Sequence, residues 1–207
     1  MTSVDEFLPG VLPLVIGCPI PTAREALVNA AILFCEDSHV VQETLDAFTT
    51  EPGEARYELD PPSQQRTARI LRVTVDGREI GMYPLAQAPK AQQHRSRPTV
   101  AYTAMEDGVL EMVLYPTPDA EYAISVEAAL RPNRNATRVN SVLYQEWYEA
   151  ICHGAVHKIA AIPDQSFSSD AVSGRALMMF LRETSKAKNE SYKGKVRASL
   201  TVRPRKF

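Results

Sequence analysis

The sequence predicts an α+β fold: one N-terminal and two C-terminal long helices forming a helical bundle, an antiparallel β subdomain inserted between them, and an extended C-terminal arm. Three observations predict it. Near the N-terminus and again beyond residue 140, apolar residues recur at three- and four-residue spacing, the period of a helix with one buried face. Between about residues 40 and 130 the chain changes to short runs rich in Val, Ile, Thr and Tyr, broken by Gly and Pro. The last residues alternate apolar and polar, a strand period with no hairpin mate nearby. At 207 residues and 44% apolar composition the chain can bury a sizeable core, so residues 1–190 are read as a single domain and 191–207 as the arm.

The first helix is expected at about 22–38. Thr22 and Glu25 have the spacing of a capping box, in which each side chain satisfies a backbone N–H at the helix start. Ala23, Ala26, Leu27, Ala30, Ala31 and Phe34 then share one face, leaving Arg24, Glu25 and Asn29 nearer solvent. In the β section the runs are ILRVTV, EIGMY, TVAYTA, VLEMVLY and YAISVEAAL. Asp76-Gly77 and Asp107-Gly108 lie between such runs, where tight hairpins need residues that tolerate positive φ. The polar stretch QAPKAQQHRSRP between them has no clear period and is read as a loop or short surface helix.

A second helix is expected at 141–162, with Leu143, Trp147, Ile151 and Ala155 on one flank and Pro163 as its stop. A third runs over 168–190, with Ser168 as N-cap and Asp170 in the first turn, carrying Val172, Leu177, Met178, Phe180 and Leu181. In the arm, Val196, Ala198, Leu200 and Val202 fall on one face and Arg197, Ser199, Thr201 and Arg203 on the other. Such a segment suits addition to a partner's sheet edge, or pairing with the chain's own β section.

Charge and motif content exclude several function classes. The net charge is −2 and the pI near 6.1, which gives no whole-molecule attraction to nucleic acid or to acidic membranes. The basic charge collects at the end: from Lys186 to Phe207 there are eight basic residues against the single acid Glu190. Cys18, Cys35 and Cys152 are scattered and fit reduced cytosolic thiols better than disulfides or a zinc site. No basic leader and no apolar run of the ~20 residues a membrane span needs is present, so neither a cleaved signal nor a membrane partner is expected.

His153 and His157 have the i, i+4 spacing of a metal-chelating pair, but Gly154 stands where a zinc protease needs its Glu, and no third ligand is placed nearby. Core or contact histidines are the expected reading. Cys152 beside His153, and Cys35 four residues before His39, lack the third group of a nucleophilic site. Glycine-rich phosphate loops are missing, and Tyr144, Trp147 and Tyr148 read as core or subunit contact rather than a base-stacking platform. No enzyme activity and no cofactor or metal are expected.

Residues 12–46, LPLVIGCPIPTAREALVNAAILFCEDSHVVQETLD, resemble the opening of the tailed bacteriophage head-to-tail adaptor (connector or neck) family, with its Gly-Cys-Pro-x-Pro turn, Ala-rich helix and Phe-Cys pair. The order continues through an Asp-Gly hairpin, Tyr-Pro-x-Pro at Tyr115 to Pro118, Ala-Leu-x-Pro at Ala129 to Pro132 and a Trp-Tyr-Glu-Ala helix. Val41 and Phe167 depart from it, standing where many relatives carry Trp. The resemblance implies a virion neck protein, assembled in the host cytoplasm as a dodecameric ring below the portal and enclosing the DNA channel. It implies portal and tail proteins as partners and a C-terminal arm that grips the portal. Lys193, Lys195, Val196, Arg197, Leu200, Val202, Arg203, Arg205 and Lys206 are then the expected contacts, with the portal or nonspecifically with genomic DNA. A tail-completion or tube protein of the same region is the alternative; a nonspecific DNA-binding protein or a metal-dependent enzyme at His153 and His157 ranks below both.

Overall fold

The computed structural model describes residues 1–88, 94–106 and 109–193, and it is α+β with antiparallel sheets predominating. The chain opens with β1 (Thr2–Ser3), a 3-10 turn (Val4–Phe7), a short helix α1 (Leu8–Val11) and a second 3-10 turn (Leu12–Leu14). Ser3 and Glu6 make a capping box here, the Glu6 carboxylate accepting from the Ser3 N–H and the Ser3 hydroxyl from the Asp5 N–H, both at 3.3 Å. Turns this short carry no periodic signal, yet they bury Val4, Phe7 and Val11.

The first long helix, α2 (Ile20–Ser38), begins two residues earlier than the capping-box reading placed it. Pro19 is its N-cap and Pro21 lies in the first turn, while Thr22 makes no cap bond. Proline suits that turn because its fixed φ is already helical and its missing N–H would have been unpaired anyway. Ala23, Ala26, Leu27, Ala30, Ala31 and Phe34 are buried as their spacing implied, but so are Val28, Ile32 and Cys35. The helix is thus covered on more than one stripe. It stops at His39, whose left-handed backbone (φ 53°) lets its N–H reach the Cys35 carbonyl at 3.0 Å.

Among the described residues ten further strands follow: β2 (Gln42–Thr44), β3 (Phe48–Thr49), β4 (Arg56–Glu58), β5 (Gln65–Val75), β6 (Arg78–Glu79), β7 (Gly81–Pro84), β8 (Val100–Glu106), β9 (Val109–Tyr115), β10 (Ala123–Pro132) and β11 (Arg138–Val139). One sheet has the order β2–β10–β5–β6 with β3 also on β10, a second has β4–β9–β8–β7, and β1 pairs with β11. Asp76 and Gly77 turn β5 into β6 with φ of 47° and 73°, the double positive φ expected of a two-residue hairpin. β8 and β9 pair antiparallel out to Glu106 opposite Val109; Asp107 and Gly108 lie outside the described residues. The stretch 87–98 is described only in part: Gln87 closes a 3-10 turn, and Arg97 donates to the Val75 carbonyl at 2.9 Å.

The β section is not wholly antiparallel, because β7 runs parallel to β8, Gly81 beside Val100. The chain leaves the first sheet at Glu79, passes Ile80 and enters the second as an edge strand, so hairpin geometry no longer dictates its direction. In β10, Ile124, Val126, Ala128 and Leu130 alternate onto a buried face, shared in register with Ile70, Val73 and Val75 of β5.

α3 (Ser141–Ala160) starts at Asn140, whose side chain accepts from the Val142 N–H at 3.1 Å, and ends two residues before the predicted 162. α4 (Asp170–Lys193) starts later and ends later than 168–190. Its cap is Ser169, which accepts from the Val172 N–H at 3.3 Å, whereas the Ser168 hydroxyl is spent on the Ile162 carbonyl and the Gln165 N–H within the preceding turn. The face α4 buries is Ser173, Ala176, Phe180, Thr184 and Ala187; Val172, Met178 and Leu181 point outward. α2, α3 and α4 contact one another, with Phe34 set against Trp147 (5.6 Å between centroids) and Phe180 (6.2 Å). Val41 is buried and Phe167 packs on the same core, so both side chains serve packing.

Candidate interaction site

Of the expected contact residues, Lys193, the exposed last residue of α4, lies among the described residues. Lys195, Val196, Arg197, Leu200, Val202, Arg203, Arg205 and Lys206 lie outside the described residues. Residues 191–193 continue α4 instead of opening the arm, and the helix end is pinned there. The Ser191 hydroxyl donates to the Ser38 carbonyl at 2.6 Å, across from α4 to the end of α2, where Ser38 is fully buried. Lys186 is also engaged, its ammonium 5.5 Å from the Trp147 ring centre and 3.9 Å from Glu183.

This junction borders a groove of about 430 Å3 lined by His39, Gln42, Arg69, Arg72, Glu127 and Tyr192, among others. Burial holds the His39 imidazole below the ordinary histidine value, and the like charges of Arg69 and Lys188 add to this against the pull of Asp37. Arg72 reaches Glu127 at 3.6 Å and Glu79 at 3.8 Å. The groove thus carries two arginines, Arg69 and Arg72, against the one acid Glu127, at the point where the basic C-terminal stretch begins.

Sequence reasoning passed over these arginines for a definite reason. Arg66, Arg69 and Arg72 stand three apart, and in a regular strand odd spacing throws successive residues to opposite faces. The register with β10 skips Leu71 between Arg72–Glu127 and Ile70–Ala128, and skips Ala68 between Arg69–Ala129 and Thr67–Leu130. Each skip adds one residue, so Arg66, Arg69 and Arg72 come into line opposite Arg131, Ala129 and Glu127. Only the pairing reveals this row.

The motifs that suggested chemistry are absorbed by packing. His153 Nδ1 lies 2.6 Å from the Glu149 carbonyl, and His157 Nδ1 lies 2.9 Å from the Ser173 hydroxyl, joining α3 to α4. Among the described residues no group of three or more His, Cys, Asp or Glu side chains is placed to hold a metal ion. Burial pushes the Cys35 thiol up to about 12 and the Cys152 thiol up to about 12, which disfavours the thiolate a nucleophile requires. Phe7 stacks on Tyr148 (5.4 Å) and meets Tyr144 edge-on (5.3 Å), so these aromatics hold the N-terminal turn against α3.

Exposed large apolar side chains among the described residues include Met178 (67% exposed) and Leu181 (50%) on α4, and Leu14, Ile16 (79%) and Ile20 around the turn before α2. None of the described helices is long and apolar enough to cross a membrane.

The sequence model described as SU10 adaptor protein matches residues 15–205. Among curated proteins, signal transducer and activator of transcription 4 of Homo sapiens is 26% identical over 120 residues, which cover 57% of this chain and 16% of that protein. This chain thus spans a minor part of that relative's length.

Proposed function

The chain belongs to the SU10 adaptor protein family, and from that premise we propose that it is a structural head-to-tail adaptor of a tailed-phage neck. In this reading it assembles as a dodecameric ring, docks on the portal and continues the DNA channel toward the tail proteins. The observation that carries the proposal is the family match over residues 15–205, which takes in α2, α3, α4, the two larger sheets and most of the basic C-terminal stretch. The family is a structural one rather than an enzyme class.

The surface of the lone chain supports self-association. Met178, Leu181 and Ile16 are large apolar side chains left in water, and such groups gain from burial between copies. A ring repeats each contact around its circumference, so a contact that is weak singly holds in the closed assembly. We assign docking to residues 194–207, whose alternating sequence would put Val196, Leu200 and Val202 on one face of an added strand, with Lys195, Arg197, Arg203, Arg205 and Lys206 as charge for acidic portal surface or for DNA phosphates. Lys193, at the end of α4, sets their point of departure.

The test is to mix the purified protein with its cognate portal, with and without residues 194–207, and count bound copies by native mass spectrometry. Stopping at 193 leaves the Ser191–Ser38 bond in place. A ring on the portal that requires 194–207 is the expected result. Full-length protein that ignores the portal would overturn the reading.

A further inference from the structure

β5 has a partner along only part of one side. β10 lies against the whole strand, but β6 covers only Thr74 and Val75. Hydrogen bonds on the far side of β10 fix which way each backbone group points. Val126 accepts from the Leu45 N–H at 2.9 Å and Leu130 donates to the Val41 carbonyl at 2.8 Å, so even-numbered residues of β10 turn away from β5. Their register partners Val73, Ile70 and Thr67 must turn away from β10 in the same manner. Val73 confirms the phase, because its carbonyl accepts from the Ile80 N–H at 3.0 Å. Ile70 and Thr67 point the other way from β10 too, and no strand among the described residues pairs with them there. Beside this edge the Thr67 hydroxyl is buried without a hydrogen-bond partner.

The edge is bordered by a continuous depression. The groove at His39 and Tyr192 shares Arg69, Ile70 and Met82 with a second of about 320 Å3, which also takes in Tyr83 and Leu110. That one shares Leu110 with a third of about 210 Å3 at Gln65 and Thr67. Met82 and Leu110 are half-buried apolar side chains packed on the core. Arg66, Arg69 and Arg72, on the face of β5 opposite Ile70, line the same depression from its other side.

We propose that the open edge of β5 at Thr67–Ile70 receives an extended segment of a partner protein by strand addition, and that this segment alternates acidic with apolar residues. A strand added there places every second side chain beside Arg69 and Arg72 and the others over Met82 and Leu110. The backbone groups of Thr67 and Ile70 supply the affinity, and the arginine row supplies the choice of partner. The two skipped residues and the arginines also refuse a flat or basic strand. This chain's own residues 195–203 are such a basic segment, with Arg197 and Arg203 on their polar face, so like charges would meet. The proposal stands apart from the ring and portal reading, because the edge it uses belongs to β5 and needs neither Met178 and Leu181 nor residues 194–207.

The probe is a capped, fluorescein-labelled nine-residue peptide alternating Val and Glu, titrated with the full-length protein and followed by anisotropy. Saturable binding is expected, weakened at least about tenfold by backbone N-methylation of the peptide, which removes its donors without altering its charge. Arg69→Glu should weaken binding by a similar factor and transfer preference to an alternating Val and Lys peptide. Since Arg69 is exposed, the variant's unfolding midpoint should match the parent's. By NMR, the Thr67 and Ile70 amides should exchange freely in the unliganded protein and slow at least about tenfold with peptide. No saturable binding, indifference to N-methylation, or an unchanged preference in Arg69→Glu would each overturn the proposal. So would protection of both amides before peptide is added: if protection grew with protein concentration, a second copy would be the occupant, and otherwise the chain's own tail.

Discussion

A methyl group at Gly154 would sit 2.8 Å from the Phe180 ring and 2.9 Å from the Ala30 Cβ, closer than packed carbons approach. Glycine at that position is what lets α2 and α4 close on α3. Gly154→Ala is therefore expected to destabilise the fold by about 1–3 kcal/mol, read as a lower urea midpoint, in spite of alanine's better helix propensity. An unchanged or raised midpoint would show that the helices have slack there. In the sequence this glycine only marked a failure to match a zinc motif, since a contact made by two distant residues leaves no local trace. His39 is a second case. Burial, with the charges of Arg69 and Lys188, depresses its imidazole below the usual value near 6.5. The unfolded chain then takes up a proton that the folded chain refuses, so stability is full above about pH 6.5 and declines as pH falls toward the lower folded-state value. His39→Asn, which tolerates the left-handed backbone, should flatten that part of the urea-midpoint profile between about pH 7 and about pH 5. If the slope survives the substitution, another group carries it. The histidine was visible in the sequence; its charged neighbours, thirty and more residues away, were not.

α4 shows what helical periodicity can and cannot convey. Its existence and length were legible from spacing and from the polar turn before it, but the choice of buried face was not. Small residues, Ser173, Ala176, Thr184 and Ala187, lie inward with Phe180, while Met178 and Leu181 face water. Hydrophobicity alone ranks these faces in the wrong order, because a close helix contact selects small side chains over large ones. In the proposed ring, the outward pair would lie at a contact with a neighbouring copy. Met178→Glu with Leu181→Glu is expected to abolish self-association in analytical ultracentrifugation while leaving the thermal midpoint within a few degrees of the parent. Loss of folding together with association would mean that the pair serves the single chain. At β5 a comparable limit applied: the strand could be read from its composition, whereas its two skipped residues, and with them the arginine row, exist only in relation to β10.

For the molecule as a whole, fold class, helix order and the Asp76-Gly77 hairpin were legible because each rests on local pattern. The parallel contact of β7 with β8 was not, since the stretch between them carries no pattern, nor was the β1–β11 pair, which joins segments far apart in sequence. Stability is expected to come from this apolar core without help from metal, so a chelator such as EDTA should leave the urea midpoint unchanged. A shift would reopen His153 and His157 as ligands. The N-terminal turns carry a practical consequence. Family similarity begins at residue 15, yet Val4, Phe7 and Val11 are all buried, and Phe7 stacks on Tyr148 and meets Tyr144 of α3 edge-on. Trimming the gene to the region of recognisable kinship would remove the plug from one end of α3, at a cost on the order of the 3–5 kcal/mol that deleting a buried phenylalanine incurs. Where relatives stop agreeing in sequence is therefore a poor guide to where this protein can be cut, and an affinity tag belongs on a spacer ahead of Met1.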